Sequence, residues 1–508
     1  MEGAVDFFLQ DGRSQRANDF LTDKMIIEKY TVAGNIVQNV MTAIVKLLTT
    51  YPDSSKFRNT YDICKVSDSF LKTEIERSFQ KIKERGIAWP TTVDVNNCVS
   101  GYSPQQRRDA YVLSDGDVVK LTLGVHIEGY TCRASHTIVV RPLTPPAVIA
   151  DSGPVRGDVA DTVIATHAAL KAVTALLGSV LYGYTTPSGY FNNSPVTGER
   201  IRQVVEKIAR IYGVRVLPGS SVRTVRQYLA GQCTVKEAGA KGYEWGSFNR
   251  NSSDETEQAA KEQSDNSIEE IDASREFDAG TVAEGGEAWL VDISMCSMPS
   301  ILPPAYKTGS FVSKYNKSQV SRKAVRAHDK LLPTVFSRDY AASSHDLRTQ
   351  SARSLLAVVE ATKSVYPFAA STVNVPGMRA ATVLAGLREL ERTGLIIPTH
   401  VETVKAPGSN ANLTIAREQT TLLLIPSVEH GGYGKVLRLS GAEANIPPSW
   451  AHSDHEILDP ELLNLVTSAS SDRVPEGKIK IKNVTTTIDL TYDLDKLGTE
   501  EMAEMELD

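Results

Sequence analysis

Cysteine is scarce in this chain, and its spacing excludes two common kinds of framework. Only five cysteines occur among 508 residues, an odd number without any Cys-x-x-Cys pair or Cys/His zinc spacing. A disulfide scaffold and a cysteine-based zinc site are therefore excluded, and we expect reduced, mostly buried thiols. The cysteines are Cys64, Cys98, Cys132, Cys233 and Cys296.

Long apolar runs and the common catalytic motifs are missing as well. No apolar run approaches the roughly 18 residues that a membrane span requires. The opening Met1–Gln15 lacks the pattern of a secretory leader, so we expect a protein of the cytosol or nucleus that does not enter a membrane. No Gly-x-Ser-x-Gly, Walker or Rossmann motif stands in a strand-turn-helix setting, which argues against the corresponding hydrolases and nucleotide-binding enzymes.

Neither sign of charge dominates the composition. The chain has 55 Lys and Arg residues against 61 Asp and Glu, for a formal net charge of -6, and 41% of its residues are hydrophobic. These values are typical of a globular protein with a large core and exclude wholly disordered and collagen-like chains. Mild acidity argues against coating of nucleic acid over the whole surface but leaves room for a local basic patch.

What is present is an order of elements that occurs twice. The spacing of apolar residues predicts two helices followed by short strands, and the same order recurs later in the chain. The first set comprises helices at 24–48 and 64–82 and strands at 92–95, 118–123 and 132–140. The second set comprises helices at 159–180 and 198–211 and strands at 214–217 and 288–294. This duplication predicts an α/β (α+β) protein whose two similar halves share one sheet.

An inserted segment and two acidic stretches interrupt this order. Helices are predicted at 351–365 and 380–390, and the second ends at Gly394 before the apolar run Leu395–Ile397. A helix followed by a short hairpin resembles a winged-helix module. We expect an N-terminal tail at 1–22, a core at 23–305 with halves at 23–150 and from 151, a mobile acidic loop at 247–287, an inserted basic, winged-helix-like domain at 306–405, the rest of the core at 406–490 and an acidic tail at 491–508.

The most informative stretch runs from Gly86 to Tyr130. It contains the ordered segments G-I-A-W-P-T-T-V-D-V-N-N-C-V-S-G-Y-S-P at 86–104 and D-G-D-V-V-K-L-T-L-G-V-H-I-E-G-Y at 115–130. Together these segments resemble the type 2 methionine aminopeptidase family and its proliferation-associated relatives. The resemblance covers most of residues 24–440 and implies the pita-bread (creatinase/aminopeptidase) fold of two similar halves.

The resemblance also indicates where metal ligands would lie. Active members hold two metal ions through two aspartates, a histidine and two glutamates, because hard divalent cations need several anionic oxygens around an activated water. No histidine occurs between His167 and His328, so a shift of the alignment does not supply the missing one. The corresponding positions are Thr122, Arg133, Val222 (in the region of Ser221 and Val222), Asp292 and Gln419, and the substrate-binding histidine falls at Gly101.

A single acidic ligand cannot hold a two-metal site. Glu418 adjoins the last position, but successive strand residues face opposite sides of a sheet, so this neighbour cannot substitute. The resemblance therefore implies an aminopeptidase-like protein without catalytic residues, metal or cofactor, in which the cleft remains as a pocket without chemistry. We interpret His126 and His136 as strand or surface residues. A residual metalloaminopeptidase is the alternative.

The charge reverses locally at the start of the insertion. Seven basic residues and a single acid, Asp329, lie between 307 and 330, close to Tyr306 and Tyr315. A basic patch with aromatic neighbours is typical of an RNA-binding surface, and a solvated helix face is the alternative interpretation. The candidates for contacts with ribosomal RNA are Lys307, Lys314, Lys317, Arg322, Lys323, Arg326 and Lys330.

Two catalytically inactive branches of the family bind the large ribosomal subunit around the exit of the nascent-chain tunnel. They are the proliferation-associated growth regulators and the fungal export factors called "associated with ribosomal export complex". The growth regulators end in a lysine-rich tail, whereas this chain ends in the acidic stretch Glu500–Asp508 and has a longer insertion. It therefore looks more like the export branch, which escorts the immature subunit out of the nucleus.

The resemblance implies a set of partners. They are the large ribosomal subunit, through ribosomal RNA and tunnel-exit proteins, together with Phe-Gly nucleoporins and other assembly factors. It further implies a monomer that shuttles between nucleus and cytoplasm. Growth-regulator-like binding to ribosomes, RNA or DNA is the alternative within the same fold.

Overall fold

A computed structural model of the protein describes both halves and most of the insertion. The described residues are 21, 23–49, 58–140, 154–182, 195–229, 240–245, 277–278, 280–297, 333–340, 342, 347–363, 365–373, 375–399, 401–404, 413–427, 434–440, 450–468 and 481–483.

Two helices and four strands form the first half. They are α1 (Lys24–Thr49), α2 (Thr60–Arg77), β1 (Arg85–Val95), β2 (Cys98–Ser100), β3 (Val118–Ile127) and β4 (Tyr130–Val139). Helix α2 begins where the Asn59 side chain accepts a hydrogen bond from the Tyr61 N–H, which satisfies one free donor of the first turn. It ends at Arg77, earlier than predicted, because Ser78 is extended and Phe79 has a φ of 44°.

The second half repeats this order. Its elements are α3 (Asp158–Ser179), α4 (Gly198–Ile211), β5 (Val214–Val216), β6 (Ser221–Val225), β7 (Ala240–Glu244), β8 (Phe277–Asp278) and β9 (Ala288–Ser297). Helix α3 is buried on nearly all sides, so its threonines satisfy their hydroxyls within the helix; Thr166, for example, donates to the Thr162 carbonyl at 2.7 Å. Helix α4 is amphipathic and is capped by Thr197.

The insertion has an apolar core of its own. Its elements are β10 (Val335–Arg338), α5 (Gln350–Thr362), β11 (Phe368–Ala369), α6 (Ala380–Arg392) and β12 (Ile396–Thr399). The three strands form a separate antiparallel sheet in the order β11-β10-β12. Phe336, Leu355, Leu387 and Ile396 pack together between this sheet and the two helices.

The chain does not form the predicted hairpin after α6. Strand β12 pairs with β10, whereas the next strand, β13 (Glu402–Thr403), pairs with β2 of the first half. The expectation of a hairpin of consecutive strands after α6 is therefore wrong, although the insertion does pair its helices with a small sheet of its own. The physical reason is burial: Val401 and Val404 pack with residues of the main body, and this draws the chain away from β12.

The remaining elements complete a large sheet. They are β14 (Ile415–Ile425), β15 (Lys435–Arg438), α7 (Pro460–Ser468) and β16 (Ile481–Asn483). The main path of the sheet is β1-β3-β4-β14-β9-β6-β7-β8, with β15 beside β14 and β5 beside β9. The two halves thus share one sheet and meet between β4 and β14, as the duplicated pattern predicts.

Side chains hold the seam between β4 and β14. The two strands share one register pair in the described residues, Ser135 with Gln419. Beyond it, the Thr137 N–H donates to the Glu418 carboxylate at 2.9 Å, and the Arg417 N–H donates to the Thr137 hydroxyl at 2.8 Å. Polar side chains therefore replace the backbone ladder where the halves meet.

Within the described ranges, two helices, α1 and α3, are long and apolar enough to cross a membrane by length and composition. Inside the fold, 67% of the apolar window of α1 and 94% of that of α3 are buried. Both helices are packed as core helices of this sheet.

The end of the predicted acidic loop is packed rather than mobile. Ala283 is 1% exposed and its N–H donates to the Val196 carbonyl, while the Gly286 N–H donates to the Leu424 carbonyl. The expectation of mobility is therefore wrong for residues 280–287, because their backbone N–H groups donate to carbonyls of neighbouring segments. Residues 247–276 and both predicted tails lie outside the described residues, apart from residue 21.

Four cysteines are free and buried, as expected. They are Cys64, Cys98, Cys132 and Cys296, whereas Cys233 lies outside the described residues.

Candidate functional site

Three of the five predicted metal-ligand positions fall on one row of paired residues that crosses the sheet. Thr122 pairs with Ser135, Ser135 with Gln419, Gln419 with Asp292, and Asp292 with Ser221. Directly paired residues of neighbouring antiparallel strands project from the same face. The sheet therefore brings together three of the predicted positions, Thr122, Asp292 and Gln419.

Val222 does not lie on this row. It pairs with Val291 and belongs to the apolar cluster under α3 and α4, on the face opposite to Asp292. Ser221, one residue earlier, is the β6 residue on the row. The expectation for Val222 is wrong because alternation along the strand places it in the core.

The one carboxylate on the row, that of Asp292, forms an ion pair with an arginine. Arg417 donates from Nε to Asp292 Oδ1 at 2.8 Å and from Nη2 to Oδ2 at 2.6 Å. Gln419 Nε2 also donates to Oδ2, at 2.6 Å. Burial by itself opposes ionisation, but Arg417 outweighs burial and lowers the pKa of Asp292. Such bidentate pairing fixes the orientation of the carboxylate, and both of its oxygens accept hydrogen bonds from other side chains of the protein.

A second arginine stands at another predicted ligand position. Arg133 is 6% exposed, and its guanidinium lies 4.0 Å from the centre of the Trp89 ring, a cation–π contact. Gly124 makes room for it, since a Cβ there would approach the Arg133 Cγ to 2.8 Å. The charge of Arg133 also contributes to the lowered pKa of Asp292. Two guanidinium groups thus surround the carboxylate.

Asp94 and Lys120 are two further buried charged residues close to this row. Asp94 accepts hydrogen bonds from the Tyr102 N–H at 2.8 Å and from the Thr92 hydroxyl at 3.1 Å, and burial raises its pKa. Lys120 is fully buried and donates to the Asn96 carbonyl at 2.6 Å; burial lowers its pKa to about 8. Both groups are held by the backbone of the β1–β2 region.

The position of the substrate-binding histidine carries no side chain. Gly101 follows β2 and has a φ of 89°, in the left-handed region that favours glycine. The next residue, Tyr102, is 3% exposed and donates its N–H to Asp94. This stretch therefore turns back onto β1, and a backbone N–H, rather than an imidazole, faces Asp94 there.

Glu418 projects from the other face, as strand alternation predicts. It is 4% exposed and lies between two histidines: Oε2 is 3.2 Å from His136 Nδ1, and Oε1 is 3.2 Å from His167 Nε2. Burial opposes its ionisation, but the two histidines hold the pKa of Glu418 well below its ordinary value. Burial lowers the pKa of His167, whereas for His136 the attraction of Glu418 exceeds the effect of burial and raises the pKa.

His126 and His136 are strand residues, as interpreted from the sequence. His126 is 3% exposed, stacks on the Tyr366 ring at 4.4 Å, and has a pKa that burial lowers to about 3. The role of His136 beside Glu418 was not foreseen.

The roles found by structure alone are the ion pair of Arg417, the contact of Trp89 with Arg133, and the position of Glu418 between His136 and His167. Arg417 carried one usable signal, since a cation two residues before Gln419 lies on the same strand face and needs a carboxylate partner when that strand is buried, as it is here. His167 carried none, because a lone histidine in an apolar helix has no visible partner in sequence.

The basic candidates for RNA contacts, Lys307, Lys314, Lys317, Arg322, Lys323, Arg326 and Lys330, lie outside the described residues.

The residues on the row do not fit a two-metal centre. A pair of hard divalent cations needs several free anionic oxygens, and Asp292 already binds Arg417 and Gln419. Thr122 donates its hydroxyl to Ser135 at 2.9 Å, and Arg133 is itself a cation. In the described residues of the row, the Asp292 carboxylate and the Thr122 hydroxyl are thus already bonded to other side chains of the protein.

Comparison with known proteins agrees with the fold. The model of metallopeptidase family M24 matches residues 28–179. A solved structure described as a thermophilic Arx1 superposes with a TM-score of 0.62, at 17% identity over 90% of this chain and 99% of that chain.

The sequence relatives extend along nearly the whole chain. The "Probable metalloprotease ARX1" of Yarrowia lipolytica is 30% identical over 87% of this chain and 90% of its own length. The "Probable metalloprotease arx1" of Schizosaccharomyces pombe is also 30% identical, over 87% of this chain and 93% of its own length. With the pita-bread sheet and the match to metallopeptidase family M24, these relatives show that the chain belongs to the ARX1 family.

Proposed function

We propose that this protein is a non-enzymatic ribosome biogenesis factor that binds the immature large ribosomal subunit near the nascent-chain tunnel exit and assists its nuclear export. The observation that carries the proposal is the pairing of Asp292 with Arg417 on the central sheet of a pita-bread fold. A fold kept without its ligand set is expected where the fold serves as a binding surface.

The non-enzymatic part rests on charge. Activation of a water by two metal ions requires that the anionic ligands exceed nearby cations. Asp292 is the one carboxylate on the row; Arg417 pairs with it, and the charge of Arg133 acts on it as well. The names of the relatives contain the words "probable metalloprotease"; for this chain we propose that hydrolysis is absent.

The binding part rests on the basic segment of the sequence and on the resemblance to the export branch. Seven cations with one acid, Asp329, between 307 and 330 form a local positive charge in a chain of net charge -6. Contacts of lysine and arginine with phosphate give affinity that falls steeply with salt. The proposed partners are ribosomal RNA, tunnel-exit proteins, other assembly factors and Phe-Gly nucleoporins, bound by a monomer that shuttles between nucleus and cytoplasm without entering a membrane.

Co-sedimentation with purified large ribosomal subunits tests the proposal. The native protein is compared with a variant in which Lys314, Lys317, Lys323 and Arg326 become glutamate, over a series of salt concentrations. We expect the native protein to pellet with subunits at low salt and the variant to stay in the supernatant. Binding of both proteins to equal extents would remove the basic segment from the interface, and binding of neither would overturn the ribosomal proposal.

A matched control distinguishes the effect of the basic segment from the effect of a change in net charge. Lys24, Lys81, Lys83 and Arg210 are exposed on the described surface, and their replacement by glutamate changes the charge by the same amount. This control is expected to sediment as the native protein does. Retention on DNA duplexes at moderate salt, without preference for subunits, would instead favour the DNA-binding alternative.

Two further measurements address the enzymatic alternative and export. Release of N-terminal methionine from peptides is expected to be absent with added divalent metal, and measurable turnover would overturn the non-enzymatic part. Retention on immobilised Phe-Gly repeats is expected, and its absence would remove the export part while leaving subunit binding intact.

A further inference from the structure

The face of the sheet opposite to Asp292 holds a compact set of metal-ligating side chains. His136 of β4, His167 of α3 and Glu418 of β14 each offer one ligand atom, and these atoms all lie within 4.8 Å of one another. Two imidazoles and a carboxylate form a ligand set that proteins use for zinc. The set lies outside the row of family ligand positions, because Glu418 projects from the face opposite to Gln419.

Each histidine stands at ligand spacing from one oxygen of the carboxylate. His136 Nδ1 lies 3.2 Å from Glu418 Oε2, and His167 Nε2 lies 3.2 Å from Glu418 Oε1. Charge-assisted N–H···O bonds are normally about 2.7–2.9 Å. Two ligands at about 2.0–2.1 Å from a tetrahedral zinc ion lie about 3.3 Å apart, so either oxygen can share an ion with the histidine next to it.

His167 provides an independent observation. Its side chain is fully buried in α3, and neither Nδ1 nor Nε2 makes a hydrogen bond of acceptable geometry among the described residues. Its Nε2 lies 3.2 Å from Glu418 Oε1 without forming a hydrogen bond, and a buried imidazole whose nitrogens make no hydrogen bond costs stability, because both nitrogens lose water. A metal ion at Nε2 would satisfy one of them.

The carboxylate is oriented by its surroundings. The Thr137 N–H donates to Oε1 of Glu418 at 2.9 Å, which fixes the carboxylate between the two rings. Such outer contacts are typical of metal ligands. The three ligands come from both halves of the molecule, at the seam where β4 and β14 share one register pair in the described residues.

A cavity of about 210 Å³ adjoins the set and is lined by α1, by His136 and Glu418, and by Arg438. It has room for water at a fourth coordination position. Arg438 is the nearest opposing charge; it donates from Nε to the Ser440 carbonyl at 2.8 Å, and its charge acts on both histidines and Glu418. Lys46 also lines the cavity, and Lys171 lies within the field of Arg438. These cations favour an anionic or neutral oxygen at the fourth position and disfavour a second metal ion.

We propose that His136, His167 and Glu418 bind one zinc-class divalent cation that ties the two halves of the sheet together. The ion joins β4 and α3 to β14, where backbone pairing is sparse. The proposal is independent of ribosome binding, since the three ligands lie on the face of the sheet opposite to Asp292 and outside the basic segment at 307–330.

The test uses the full-length protein after treatment with a chelator. Titration with Zn²⁺ is followed by calorimetry at neutral pH, and Co²⁺ is added separately to record the visible absorption of a tetrahedral site. We expect one equivalent of Zn²⁺ to bind, a tetrahedral Co²⁺ spectrum, and a rise in the unfolding temperature on addition of Zn²⁺. A native protein that binds no stoichiometric metal would overturn the proposal.

Three variants assign the ligands. Glu418→Gln keeps the shape of the side chain, and His136→Ala alters a partly exposed residue that the fold should tolerate; both are expected to lower the affinity at least tenfold and to lose the Co²⁺ spectrum. His452→Ala is the matched control, because this histidine is exposed and lies 3.8 Å from the Asp454 carboxylate. Equal binding by all of these proteins would identify adventitious surface sites and overturn the assignment. Loss of Zn²⁺ binding would leave subunit co-sedimentation unaffected, so the two proposals fail separately.

Discussion

Arg417 holds the carboxylate of Asp292 through two hydrogen bonds, at 2.8 and 2.6 Å, on adjacent strands of the central sheet. Asp292 stands on the row where the family resemblance locates metal ligands, and Arg417 lies two residues before Gln419 of that row. A guanidinium therefore supplies, from within the chain, a positive charge that compensates this carboxylate.

The first prediction concerns this pair. Arg417→Leu leaves the buried carboxylate of Asp292 without its main partner, and we expect a loss of about 3 to 5 kcal/mol in the free energy of unfolding. Urea denaturation at pH 7 measures it. The double variant Arg417→Leu/Asp292→Asn removes the orphaned charge and is expected to recover most of the loss. A double variant as unstable as the single one would show that the pair itself is not the cause.

Lys120 gives a prediction about alkaline pH. Burial lowers its pKa from 10.5 to about 8, so the folded protein binds fewer protons than the unfolded chain between these values. Stability therefore rises with pH in this window relative to Lys120→Met, by about 3 kcal/mol for the full shift. Comparison of urea denaturation of both proteins from pH 7 to pH 10 measures the change. A difference independent of pH would contradict the lowered pKa.

Asp68 gives the opposite slope in the acid range. Its Oδ1 accepts the Thr91 N–H at 2.9 Å, and burial raises its pKa from 3.8 to about 6 despite this bond. The folded protein therefore holds an extra proton between these values, and stability falls as pH rises through the window. Asp68→Asn keeps an acceptor for Thr91 and removes the titration.

We expect the stability of Asp68→Asn relative to the native protein to increase by about 3 kcal/mol between pH 4 and pH 7. Thermal unfolding at several pH values in this range measures it. A parallel pH profile for the two proteins would contradict the raised pKa of Asp68.

Gly34 tests packing against helix propensity. An alanine Cβ at this position of α1 would lie 2.9 Å from both the Cβ and the carbonyl oxygen of Leu439. Overpacking against backbone costs about 1 to 3 kcal/mol, against a gain of about 1 kcal/mol in helix propensity. We expect Gly34→Ala to be destabilised overall, as measured by urea denaturation. An increase in stability would show that the helix can shift away from Leu439.

The local elements were predictable because they depend on neighbours in sequence. Apolar spacing predicted helices at 24–48 and 198–211, which the structure has as Lys24–Thr49 and Gly198–Ile211. Strand alternation predicted that Glu418 could not replace Gln419, and it projects from the other face. The hairpin after Leu395 was predicted wrongly, since the burial of Val401 and Val404 in the main body is a long-range effect.

The sequence by itself determined the resemblance to the family, the duplicated order of helices and strands, and which residues stand where the resemblance locates metal ligands, because each follows from the identity of residues at short, fixed spacings. Only the tertiary structure decided what those residues contact. Arg417 and Asp292 are 125 positions apart, and Glu418 and His136 are 282 apart. Such pairs form when strands of two halves meet in one sheet, and burial then forces each charge to find a partner across that distance.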